Sequence, residues 1–143
     1  FSVANSSGNE EVDVQDLKIH AYILDNEEGS LFNIGCTDQT CVSDVIESCE
    51  LQTWPEIRVL MGPIEVGEDG VLDLTDNFVM EPGEGEILRL LCDVREDAEL
   101  PTGYVAIAFD ITSTDQVGVS GGHKYVGAQN GGSLPERIVE IYE

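Results

Sequence analysis

Two residue classes in this chain have chemistry to offer: four cysteines, at positions 36, 41, 49 and 92, and the 29 Asp+Glu that outnumber six Lys+Arg. Cys36 and Cys41 flank Thr37-Asp38-Gln39-Thr40, a spacing that matches no zinc pattern. His20 and His123 are distant in sequence and no C-x-x-C pair exists, so structural disulfides are expected over a thiolate metal site or redox chemistry. Four cysteines allow three pairings. In the run 86–94, Leu88, Leu90, Cys92 and Val94 share one face of a strand, and Val45, Cys49 and Leu51 share a face in an earlier run. This facing favours a Cys49–Cys92 bridge worth about 4 kcal/mol by loop-closure entropy. Cys36 and Cys41 would then close a small surface loop.

The carboxylates cluster in turns. Asp25, Glu27 and Glu28 form one group, Glu68, Asp69, Asp73 and Asp76 a second, and Asp93, Glu96, Asp97 and Glu99 a third. Hard cations take several oxygen ligands, which makes Ca²⁺ the one cofactor to consider, with Asp25, Glu27, Glu28, Asp69, Asp73 and Asp76 as candidate ligands. No stretch fits D-x-[DN]-x-[DN]-G, and solvated acidic turns are the simpler expectation. Gly118-Val119-Ser120-Gly121-Gly122 matches G-x-S-x-G, with His123 next. A nucleophile elbow needs a helix after its Ser, and the glycine-rich run from 127 to 132 cannot supply one. A loop is expected there, and no catalytic residue is expected anywhere. Asn5-Ser6-Ser7 is an acceptor triplet for N-glycosylation.

Composition narrows the possible partners. A net charge of -23 over 143 residues, with six scattered cations, excludes nucleic acid and anionic membrane surfaces. No apolar run approaches the roughly 20 residues of a membrane helix, so insertion of this chain is not expected. An apolar content of 41% separates it from disordered acidic tails and suits a single core. Cysteines inside apolar runs, together with a first residue that is Phe1 and not Met, point to an exported, extracellular protein.

The elements that must position these residues read as strands. Residues 1–16, FSVANSSGNEEVDVQD, read as an extended arm and linker. From Leu17, apolar Leu17, Ile19, Ala21 and Ile23 alternate with Lys18, His20 and Tyr22, the period of a half-buried strand. Similar alternation recurs over 45–53, 57–66, 71–74, 86–94, 104–112 and 137–142, with turn residues at Glu68-Asp69-Gly70, Glu81-Pro82-Gly83-Glu84-Gly85 and Leu100-Pro101-Thr102-Gly103. Over 40–50, Val42, Val45, Ile46 and Cys49 also fit a short helix. The expected class is all-β: one antiparallel sandwich of about seven or eight strands over 17–143.

From about Val42 onward, the runs CVSDVIESCELQ, VGEDGVLDLTDNFVMEPGEGEILRLLCDVREDAELPTGYVAIAFDI and GGHKYVGAQNGGSLPERIVEIYE resemble an immunoglobulin-like module of secreted bacterial surface and appendage proteins. That resemblance implies a disulfide-stapled immunoglobulin-like sandwich with no enzymatic motif, serving in a surface layer, adhesin or filament. The expected partner is therefore a copy of the same chain. Phe1, Val3, Val12 and Val14 give the arm alternating anchors with which it could complete a neighbour's sheet, head to tail, by strand addition. A Ca²⁺-dependent adhesion or ligand-binding module is the second expectation.

Overall fold

The computed structural model describes residues 2–5, 9–26, 31–101, 103–111, 117–120 and 138–142, with Ser2, Val119, Ser120 and 138–142 described by their backbone alone. It is all-β and antiparallel. The strands are β1 (Ser2–Ala4), β2 (Val12–Asp25), β3 (Asn33–Ile34), β4 (Ile46–Trp54), β5 (Val59–Ile64), β6 (Val71–Leu74), β7 (Phe78–Met80), β8 (Gly85–Val94), β9 (Tyr104–Asp110), β10 (Val117–Ser120) and β11 (Ile138–Tyr142). A single helical turn, α1 (Val42–Val45), leads directly into β4. No helix among the described residues is long and apolar enough to cross a membrane.

Two sheets result. The first has the order β1-β8-β4-β5, and the second the order β10-β2-β9-β11, with β3, β6 and β7 also joined to β2. Strand β2 is the spine of the second sheet: β7, β6 and β3 follow one another along it, while β10 and β9 also pair with it. Its inward residues Leu17, Ile19, Ala21 and Ile23 meet Cys49, Leu51, Met61 and Leu88 of the first sheet in one buried cluster. The period-two alternation of the sequence thus becomes one core shared by both sheets.

Strand β2 starts at Val12, five residues before the expected domain boundary. Val14 is buried, Gln15 and Asp16 are both exposed, and burial resumes at Leu17 on the other parity. The alternation slips by one residue, and the β10 partner shows a matching irregularity between Gly118 and Val119. A phase slip of this kind breaks the period-two signal, which is why 12–16 read as linker. The short strands β3, β7 and β10 lie outside the stretches expected as strands, whereas β1 falls in the arm expected to be extended.

The helix-like spacing over 40–50 is used only for one turn. Val42 and Val45 are both fully buried, and the Asp44 carboxylate accepts the Cys41 backbone N–H at 2.9 Å, closing the N-terminus of α1. Nearby, Gly35 and Gly70 bring two backbones together beside β2: Ala21 donates its N–H to the Gly70 carbonyl at 2.7 Å and accepts from Gly35 at 3.0 Å. A Cβ on Gly70 would lie 2.5 Å from the Gly35 nitrogen, and the Gly70 φ of +76° independently favours glycine.

Candidate functional site

Cysteine pairing organises the first sheet. Cys49 and Cys92 are bridged, as are Cys36 and Cys41. Cys49 of β4 stands directly opposite Cys92 of β8, flanked by the pairs Leu51 with Leu90 and Thr53 with Leu88. These residues form the inner face. The Cys49 and Cys92 Cα atoms are 4.0 Å apart. Such closeness marks the pair type that exchanges no backbone hydrogen bonds, so the Cys92 N–H and C=O point away from β4. By the same alternation, those of Leu90 and Val94 do too.

Among the described residues, only β1 lies on the side they point to. The described residues of β1 pair with β8 at residues 85–87, through Ser2 with Ile87, Val3 with Glu86 and Ala4 with Gly85. Beyond Ile87, no described strand lies on that side of β8. The outer face next to this edge is apolar: Ile87 is 54% exposed, Leu91 45%, and Trp54, opposite Ile87, 48%. Arg89 lies among them, its guanidinium 5.0 Å from the centre of the Trp54 ring and its Nε donating to Gln52 Oε1 at 2.7 Å. A shallow depression of about 530 Å³ continues this face toward the β4–β5 turn, lined by Trp54, Pro55, Ile57 and Arg58 among others.

The four expected arm anchors divide. Phe1 lies outside the described residues. Val3 sits in β1 and packs against the chain's own core, Val12 is half-buried opposite Met80, and Val14 is a core residue at 7% exposure. Only the segment before Asn5 therefore has the geometry of an arm, because Val12 and Val14 belong to the spine strand.

Asn5 ties that short arm down. It is 6% exposed, its backbone donates to the Glu84 carbonyl at 2.8 Å, and its side-chain Nδ2 donates to the carbonyls of Glu10 at 2.9 Å and Met80 at 3.0 Å. A glycan would be attached through that same nitrogen, replacing one of its hydrogens and requiring open space. The packing of Asn5 is therefore incompatible with the expected glycosylation. The sequence triplet carries no signal of this burial.

The expected Ca²⁺ ligands do not converge among the described residues, where no group of three or more His, Cys, Asp or Glu side chains is placed to hold a metal ion. Asp25 is fully buried at the end of β2, where the Thr37 hydroxyl from the Cys36–Cys41 loop donates to its Oδ2 at 2.7 Å. Asp69 caps its own turn by accepting the Val71 N–H at 3.1 Å. Asp73 stands opposite Lys18, 4.0 Å from its ammonium, and Asp76 accepts the Gly62 N–H at 3.4 Å. Glu27 and Glu28 lie outside the described residues.

One ionisable cluster was not foreseen. His20 of β2 stands opposite Asp110 of β9, with Tyr22 two residues along. Burial raises the Asp110 carboxyl above its usual range, an effect that Tyr22 and the charge of His20 oppose. The Tyr22 hydroxyl is raised as well, by burial first and then by the negative charge of Asp110. Alternation puts His20 and Tyr22 on the outer face of β2, but only the register of β9 brings Asp110 to them.

Of the G-x-S-x-G stretch, Gly118, Val119 and Ser120 lie in β10 and not in the expected loop, while His123 and its surroundings are outside the described residues. Gly118 passes so close to Asp16 that a Cβ there would fall 2.7 Å from the carboxylate. No protein-family model, curated protein or solved structure matches the chain.

Proposed function

We propose that this chain is an extracellular structural protein, a disulfide-stapled β-sandwich of immunoglobulin-like type whose copies join head to tail by strand addition. The observation that carries this reading is the position of β1. It is a three-residue strand laid on the edge of β8 and separated from β2 by residues 5–11. Every contact it makes at residues 85–87 could be made equally by the β1 of another copy, so exchange between copies conserves the pairing and changes only the connection.

Two further features favour the reading. Both disulfides close within the chain, which suits an oxidising exterior. The two sheets share one buried core, which suits a compact structural subunit. The charge of -23 sets a condition on assembly: copies repel, and joining strengthens with salt.

Negative-stain microscopy of the concentrated protein tests this, with and without residues 1–4. Filaments that disappear on deletion support the reading. Filaments that survive the deletion, or discrete particles at every concentration and salt, overturn it. The deletion stops at residue 4 because Val14 belongs to the core.

A further inference from the structure

On the outer face of the first sheet, strand pairing sets Trp54 opposite Ile87, Gln52 opposite Arg89 and Glu50 opposite Leu91, in three successive rows. Trp54, Ile87 and Leu91 are 48%, 54% and 45% exposed. Apolar surface thus borders a polar centre on a face that no strand pairing uses. We propose that this face binds a neutral polysaccharide, with a pyranose ring stacked on Trp54 and its hydroxyls held by Arg89 and Glu50.

The polar centre is built in advance. Gln52 is only 5% exposed; its Nε2 donates to Glu50 Oε1, and its Oε1 accepts the Arg89 Nε at 2.7 Å. The Arg89 guanidinium lies 5.0 Å from the centre of the Trp54 ring. These side chains hold one another before any ligand arrives, so their ordering adds little to the entropy lost on binding. With Nε engaged by Gln52, the two terminal nitrogens of Arg89 remain as donors. Among the described residues Arg89 forms no ion pair, although the chain carries 29 Asp+Glu.

Charge selects the class of ligand. A polyanion is repelled by the net charge of -23, and a cationic ligand would be set against a guanidinium that no described carboxylate neutralises. A neutral polyol meets neither cost. Its hydroxyls both donate and accept, which matches the donors of Arg89 and the acceptor carboxylate of Glu50 on the same face. The C–H face of a pyranose ring suits a half-exposed indole.

The layout favours a chain of sugars over a single one. Ile87 and Leu91 stand on either side of Arg89 along β8, so the apolar surface extends in the strand direction beyond what one ring would cover. The site occupies the face of the sheet, whereas β1 pairs along the edge of β8. Glycan binding therefore does not rest on head-to-tail joining.

Trp54 is the only tryptophan in the chain, so its emission reports this face directly. Titrating the full chain with cellohexaose, laminarihexaose, mannohexaose and N-acetylchitohexaose should give a saturable blue shift with at least one of them. Calorimetry with that sugar should show Trp54→Ala and Arg89→Ala each weakening binding about tenfold. Trp54→Phe, which keeps an aromatic ring, should retain more affinity than Trp54→Ala, and melting curves establish that each variant is folded. Val79→Ala, at 48% exposure on β7 of the other sheet, should bind as the unaltered chain does. A saturable shift with none of the four sugars, affinity unchanged in both alanine variants, or polygalacturonate bound as tightly as any neutral sugar would overturn the proposal. So would a blue shift that grows with protein concentration in the absence of sugar, which would assign the face to a second copy.

Discussion

Cys49 and Cys92 stand opposite each other on neighbouring strands of the same sheet, bridged on its inner face, with Cys49 buried against the core that both sheets share. The bridge therefore ties β4 to β8 within one sheet and does not link the two sheets. Removing it with C49A/C92A should cost about 4 kcal/mol from loop closure over its separation of 43 residues, whereas C36A/C41A, closing a loop of 5, should cost about 2 kcal/mol. Urea unfolding of both variants measures the difference. Equal losses would mean that native packing, and not loop length, sets the contribution.

Asn5 holds β1 through a side-chain bond to a residue 75 positions away, Met80. Asn5→Ala removes the donor and leaves two carbonyls short of a partner, a cost of about 1–3 kcal/mol. Hydrogen exchange should report the loss first at residues 85–87 of β8, which β1 protects. Unchanged protection there would show that the backbone pairing suffices without the amide.

Thr37 is the hydrogen-bond donor that reaches the fully buried Asp25 carboxylate from the small disulfide loop. Thr37→Val keeps the shape and removes the hydroxyl, which also accepts the Thr40 N–H at 3.0 Å. A loss of about 1–3 kcal/mol is expected in chemical denaturation. Thr37→Ser, which retains the hydroxyl, should recover most of it.

Asp110 sets a pH dependence of known sign. Its folded-state pKa is raised by burial, so the folded chain keeps this proton to higher pH than the unfolded chain does. The associated stability is complete below the unfolded value, about 3.9, and is lost as pH rises through the higher folded value. Asp110→Asn cannot ionise, so its stability relative to the unaltered protein should improve as pH is raised from about 4 toward neutrality. Denaturation midpoints across that range test this, and a constant difference between the two proteins would exclude it.

Gly70 combines a positive φ with a backbone approach that leaves no room for a Cβ. Gly70→Ala should lower stability by more than the roughly 1 kcal/mol of a simple glycine replacement, because both the conformation and the contact with Gly35 are lost. Thermal unfolding of the variant provides the measure.

Much of the local structure was legible in the residues. Alternation located β4, β5, β6, β8, β9 and β11 to within a few positions, because a strand with one buried face must repeat every two residues. The same alternation set Cys49 and Cys92 on apolar faces. Where it slipped, at Gln15 and Asp16, the start of β2 was lost, and the short strands β3, β7 and β10 showed no usable period.

Tertiary structure decided the rest. Which strands neighbour one another depends on long-range pairing, and no local pattern reveals that β2 joins five of the described strands or that β1 pairs with the first residues of β8. Asn5 is buried because Met80 and Glu10 come to it, and the four described members of the expected Ca²⁺ set stay apart because their turns occupy different places along β2 and its neighbours. The sequence by itself determined the class of the fold and the faces of its cysteines, through periods that local sterics impose on a chain. The pairing of distant backbone groups decided which strands became neighbours, and so laid β1 on the edge of β8.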